Sequence, residues 1–158
     1  MSIAIIIVAI VVGISIFYVM TMNKAGKEML DNGSVIKRPG GFYSKAEIFT
    51  LRRITSEEFN KAAEGINFPV PSSGKTYDAV FTGTDFEARL KMVQESETQC
   101  VYRFVFTRWK SRNGNPDISD LLTMNQLLTA VEKVFVKLDP GTQVRTEEVE
   151  RKTSPSFL

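Results

Sequence analysis

The sequence predicts an α+β domain that follows an apolar N-terminal helix. Three observations predict it. Residues 3–22 carry no charged side chain. Two later stretches, Asp85 to Gln94 and Gln99 to Trp109, alternate apolar and polar residues as half-buried antiparallel strands do. The stretch ending at Leu138 repeats apolar residues with a helical period.

The apolar run comes first. Twenty residues at about 1.5 Å each span about 30 Å, the thickness of bilayer hydrocarbon. Only Gly13, Ser15 and Thr21 interrupt it, and helices in lipid tolerate such residues. Phe17 and Tyr18 fall near one end, where an interfacial aromatic belt belongs. A cleaved signal peptide would need a basic stretch ahead of Ile3, a shorter apolar core and an A-x-A site, and none of these is present. The expectation is a single transmembrane anchor over residues 1–22. Lys24, Lys27, Lys37 and Arg38 follow it, so the positive-inside rule places the N-terminus outside and the C-terminal domain in the cytoplasm.

Residues 23–41 read as a juxtamembrane helix and linker. Ala25 to Leu30 are mostly helix formers, Asn32-Gly33 is a stop signal, and Ile36 to Gly41 is a Pro/Gly break. The domain then covers residues 42–150, with a flexible tail at 151–158. Tyr43 to Ile54 reads as a first strand. Thr55 and Glu58 form a capping box for a helix with Phe59, Ala62, Ala63 and Ile66 on one face, stopped near Gly65. Asn67 to Gly74 is a loop, Tyr77 to Thr82 a short strand, and Gly83-Thr84 a hairpin turn.

In the next two strands, Phe86, Ala88, Leu90 and Met92 share one face, and Cys100, Tyr102, Phe104 and Phe106 share another. Asp117 or Ser119 caps the long helix. Its buried arc is Leu121, Met124, Leu127, Leu128, Val131, Val134, Phe135 and Leu138, and Asp139-Pro140-Gly141 ends it. Thr142 to Glu150 is a polar edge strand. The order β-α-β-β-β-α-β predicts a mainly antiparallel sheet of about five strands with both helices on one face. A ferredoxin-like plan with one extra strand is the nearest named arrangement.

Composition narrows the chemistry. The chain has 158 residues, 43% apolar and 24% charged, which suits a folded domain. It holds no histidine, which removes the commonest general base and metal ligand. The single Cys100 rules out an internal disulfide, and its predicted apolar strand face makes it a small buried hydrophobe. Gly74-Lys75-Thr76 copies the end of a phosphate loop, but Pro69 stands where the first glycine is needed. Glu57 with Glu58, Glu95 with Glu97, and Glu147 with Glu148 and Glu150 read as solvated surface. No catalytic, metal or cofactor residues are predicted, no cofactor is expected, and the chain is expected to be non-enzymatic.

The remaining candidates concern contact. Lys24 to Arg53 hold seven basic and three acidic residues, against thirteen and fifteen from residue 54 onward. Lys24, Lys27, Lys37 and Arg38 are therefore candidate contacts for anionic lipid. Arg108, Trp109, Lys110 and Arg112 form a short basic run, too narrow for a nucleic-acid face. On the long helix, Ile118, Leu122 and Val136 lie on the polar side in line with Asn125 and Thr129. Either a neighbouring loop such as Phe68 to Val70 covers this stripe, or it faces a partner. The functional expectation is a single-pass protein presenting a small cytoplasmic interaction or accessory domain. It would contact the bilayer and a protein partner or a second copy. The alternative is a membrane-tethered domain that binds a small molecule or lipid.

Overall fold

In a computed structural model of the chain, the backbone is described for residues 3–64, 78–111 and 114–149, and side chains for these except residues 3–10, 63 and 78. Helix α1 runs from Ile3 to Asp31, and a 3-10 turn covers Phe42–Ser44. Strand β1 (Lys45–Arg52), helix α2 (Ser56–Ala63), strands β2 (Asp78–Thr82), β3 (Phe86–Glu95) and β4 (Gln99–Trp109), helix α3 (Ile118–Leu138) and strand β5 (Gln143–Glu148) follow. The five strands form one antiparallel sheet in the order β2-β3-β4-β1-β5. With β2 set aside, the elements follow the βαββαβ order of a ferredoxin-like unit. The extra strand extends the sheet at the β3 edge.

Local signals explain most of these boundaries. Thr55 Oγ1 accepts from the Glu58 N–H and the Glu58 carboxylate accepts from the Thr55 N–H, so the capping box forms as expected. Asp117 is the N-cap of α3 but makes no side-chain capping bond. At the far end, Asp139 accepts from the Gly141 N–H and closes the turn that leads into β5. Gly33 takes φ 72°, the left-handed turn that ends α1 just where Asn32-Gly33 predicts a stop.

The first strand is shorter than expected. It begins at Lys45, because Phe42–Ser44 coil into the 3-10 turn, with Ser44 donating its N–H to Gly41 O. The last strand likewise spans Gln143–Glu148. The expected buried positions Ala63 and Ile66, the stop at Gly65, the loop 67–74 with its Gly74-Lys75-Thr76, and the tail 151–158 lie outside the described residues.

The core lies between the sheet and helices α2 and α3. Phe49 and Leu51 of β1, Phe86, Ala88 and Leu90 of β3, and Cys100, Tyr102, Phe104 and Phe106 of β4 face it. From α3, Met124, Leu127, Leu128, Val131, Val134 and Phe135 pack down, the arc that its period predicts. Phe135 stands at the centre, its ring 4.7 Å from Phe49 and 4.9 Å from Tyr102. Phe59 of α2 stacks on Tyr102 at 5.7 Å. Burying aromatic rings of this size supplies much of the apolar area that stabilises a domain this small. A second small cluster, Ala46, Ile48 and Val105, is separate from this core.

Among the described residues, no helix is long and apolar enough to cross a membrane. The span expected over residues 3–22 thus receives no support from the structure. α1 does not stop at the end of that stretch but continues through Lys24, Lys27 and Glu28 to Asp31.

Candidate functional site

The sequence reads residues 36–41 as a linker, yet the structure packs the segment after α1 against α3. Val35 is 2% exposed. The Asn125 amide donates to Ile36 O at 2.9 Å, and Lys133 Nζ donates to Gly33 O at 2.6 Å. Arg38 reaches furthest in. Its Nε donates to Asn125 Oδ1 at 2.9 Å, and Nη2 donates to Thr129 Oγ1 at 3.2 Å. Nη1 and Nη2 also hold Glu132 through both carboxylate oxygens at 2.9 and 2.7 Å. The guanidinium lies 5.9 Å from the centre of the Phe42 ring. The Arg38 side chain is only 7% exposed, so these bonds take the place of water.

Glu47 of β1 adds to this cluster. It is buried at 8% exposure and accepts from Thr146 Oγ1 at 3.2 Å. Burial pushes its pKa up, the Thr146 hydrogen bond opposes that, and the charges of Glu132 and Arg38 act in opposite directions. Two carboxylates thus stand near one guanidinium, a costly arrangement away from water.

The seam between α1 and α3 is close. A Cβ on Gly26 would lie 3.3 Å from Leu122 Cδ2, so only glycine leaves Leu122 its present position. Met22, Gly26, Lys27 and Leu30 of α1 form one wall of a groove there, and Ile118, Leu122 and Asn125 of α3 form the other. Val35 to Arg38 also line this open groove, which has a volume of about 360 Å³.

This geometry redistributes the residues expected to make contacts. Of the partner-facing stripe, Thr129 is 2% exposed, and Asn125 is bonded to both Ile36 and Arg38. Leu122 lines the groove against Gly26, while Ile118 and Val136 stay 43% and 49% exposed at opposite ends of α3. The chain's own residues 33–38 cover the middle of the stripe, so it is not one continuous surface for a partner. The loop Phe68 to Val70, named as the alternative cover, lies outside the described residues.

The lipid-contact candidates also separate. Arg38 is paired with Glu132 at 2.7 Å, its side chain 7% exposed. Lys24 lies 3.9 Å from Glu28, an exposed pair of little energetic weight. Lys45, Arg52 and Arg53 pair with Glu148, Glu58 and Glu95. Of the seven basic residues between Lys24 and Arg53, only Lys27 and Lys37 have no carboxylate partner among the described residues. Both line the groove.

The sequence reading missed Gly26, Val35 and Lys133. A glycine inside a helical stretch, and the apolar pair Val35-Ile36 directly after a helix stop, were the available signals.

Other reactive groups are held in structural roles. Cys100 is buried and its thiol donates to Arg52 O at 3.2 Å. Burial, the largest influence, pushes its pKa up, opposite to what a nucleophile needs. Glu58 bonds Arg52 and the Thr55 N–H, which hold its pKa below the usual value. Among the described residues, no group of three or more acidic or cysteine side chains is placed to hold a metal ion. In the Arg108 to Arg112 run, Lys110 lies 3.8 Å from Asp85, Trp109 packs edge-on against Tyr43 at 5.2 Å, and Arg112 lies outside the described residues.

No family model and no curated protein matches this chain. Among solved structures, the chain is similar to the NMR structure of PA4090 from Pseudomonas aeruginosa. The two share 12% identity and a TM-score of 0.37 over 66% of this chain and 99% of that one. A likeness at that level carries no argument about this protein.

Proposed function

We propose that the chain is a membrane-tethered, non-enzymatic accessory module. Its N-terminal helix anchors it in the bilayer, and its α+β domain works on the cytoplasmic side. There it engages a protein partner or a second copy of itself. One observation carries the reading: α1 is a single helix that begins in the uncharged stretch and ends clamped on α3. A tether that merely trailed from the domain would need no such clamp. A helix continuous from one to the other holds the domain at a set distance and orientation, which raises its effective concentration for a membrane neighbour. The lysines that follow the uncharged stretch support the cytoplasmic orientation.

A ligand-binding domain with its pocket between sheet and helices is less well supported. Phe49, Tyr102, Phe104, Phe106 and Phe135 fill that space at 0–1% exposure. The test is fractionation of cells that express the chain with a C-terminal tag. A tethered chain stays in the membrane pellet through alkaline carbonate, and protease leaves its tag intact until the cells are lysed. Release by carbonate would refute the tether. Digestion of the tag in intact cells would reverse the orientation.

A further inference from the structure

We infer that the groove between α1 and α3 is a binding site for one anionic phospholipid, its headgroup between Lys27 and Lys37 and its acyl chain along Met22, Ile118 and Leu122. The choice of a phospholipid rests on the tether proposed above. The groove lies where the uncharged stretch 3–22 gives way to charged helix, so Met22 is both the last residue of that stretch and a wall of the groove. Its apolar surface is incompletely covered: Leu30, Ile36 and Ile118 all line it and stay 47%, 43% and 43% exposed. Its charge is one-sided. Lys27 and Lys37 border it without a carboxylate partner, and no acidic residue lines it among the described residues.

The five neighbouring cations between Lys24 and Arg53 all have carboxylate partners within the chain. Two uncompensated lysines over an apolar trough match the two ends of an anionic amphiphile. A volume of about 360 Å³, at the low end of small-ligand sites, takes the headgroup and the first part of one acyl chain while the rest of the lipid stays outside the groove. Basic pockets beside membrane helices on the cytoplasmic side take acidic headgroups in the same way. Arg38 serves the site indirectly. Its bonds to Asn125, Thr129 and Glu132 hold the Val35 to Arg38 segment that carries Lys37.

The full chain, purified in a neutral maltoside detergent, is titrated with dioleoylphosphatidylglycerol or dioleoylphosphatidylcholine, and retained lipid is counted by native mass spectrometry. One phosphatidylglycerol per chain is expected, in preference to phosphatidylcholine. Lys27→Gln and Lys37→Gln should each reduce that preference about 5-fold, the effect of one basic group beside an anionic lipid surface. Leu122→Trp, which fills the groove, should abolish retention of both lipids with helix content unchanged by circular dichroism. A double Lys→Gln variant that keeps its preference would overturn the site. So would inorganic phosphate that displaces the lipid at equal concentration. Carbonate extraction of native membranes is run in parallel. A chain that washes off loses the tether and with it the lipid source. A chain that stays in the pellet but retains both lipids equally loses the groove site alone.

Discussion

Arg38 and Glu132 form a two-point ion pair across 94 residues of sequence, with Nη1 and Nη2 each on its own carboxylate oxygen at 2.9 and 2.7 Å. Their side chains are 7% and 17% exposed, so solvent screens the pair little. The pair fastens the segment after α1 to α3, the helix that lays Met124, Leu127, Leu128, Val131, Val134 and Phe135 into the core. It therefore couples the N-terminal helix to the domain instead of leaving the two joined by a loose strap.

Arg38→Ala should accordingly destabilise the domain. It leaves Glu132 partly buried without its partner and close to a second carboxylate, Glu47. The loss expected from breaking such a pair is about 2–4 kcal/mol, at the lower end because Glu132 keeps some solvent. Urea unfolding followed by circular dichroism measures it. Glu132→Gln should cost less, since its amide oxygen still accepts from Arg38 and the Glu47 carboxylate remains nearby to offset the guanidinium charge. Equal stability of Arg38→Ala and wild type would show that the clamp contributes nothing.

Glu47 gives a pH dependence of opposite sign to the usual carboxylate. Its folded-state pKa is raised, chiefly by burial, above the ordinary value of 4.5. The folded state then binds the proton more tightly than the unfolded state, so this group's contribution to stability falls as pH rises from about the ordinary value through the folded value. Glu47→Gln removes that penalty while its amide oxygen can still accept from Thr146. The variant should melt higher than wild type at pH 7, and the gap should close below the ordinary carboxylate range. A lower melting temperature for Glu47→Gln at pH 7 would contradict this account of the cluster.

Gly26 tests the seam between α1 and α3. In an exposed helix, Gly→Ala gains up to about 1 kcal/mol from propensity. Here the new Cβ would meet Leu122 Cδ2 at 3.3 Å, so Leu122 must yield by a few tenths of an ångström. The two effects should nearly cancel, leaving Gly26→Ala within about 0.5 kcal/mol of wild type. Gly26→Leu should cost about 1–3 kcal/mol, because it cannot fit without driving the helices apart. Calorimetric melting temperatures of the two variants report the difference. If Gly26→Leu proves as stable as wild type, the helices are not packed at this point.

The elements that were legible in the sequence are those whose signals are local. Alternation in Phe86 to Met92 and Cys100 to Phe106 marks the buried sheet face because a strand turns successive side chains to opposite sides. The arc from Met124 to Phe135 and the Thr55–Glu58 box follow from helix geometry in the same way. The apolar stretch 3–22 and the cations after it are also properties of the chain alone. The partners of those cations are not. Periodicity marks Leu122, Asn125 and Thr129 as a half-apolar stripe on the polar side of a helix, but it carries no information about what covers them. That is decided by where α1 ends, by Gly33 turning the chain back at φ 72°, and by Arg38 finding Glu132 far along the sequence. These contacts exist only once α3 is packed on the sheet, because only then do residues about 90 positions apart share one surface. Tertiary structure thus packed an expected linker against α3, paired Arg38 with Glu132, and, among the described residues from Lys24 to Arg53, left Lys27 and Lys37 without a carboxylate partner.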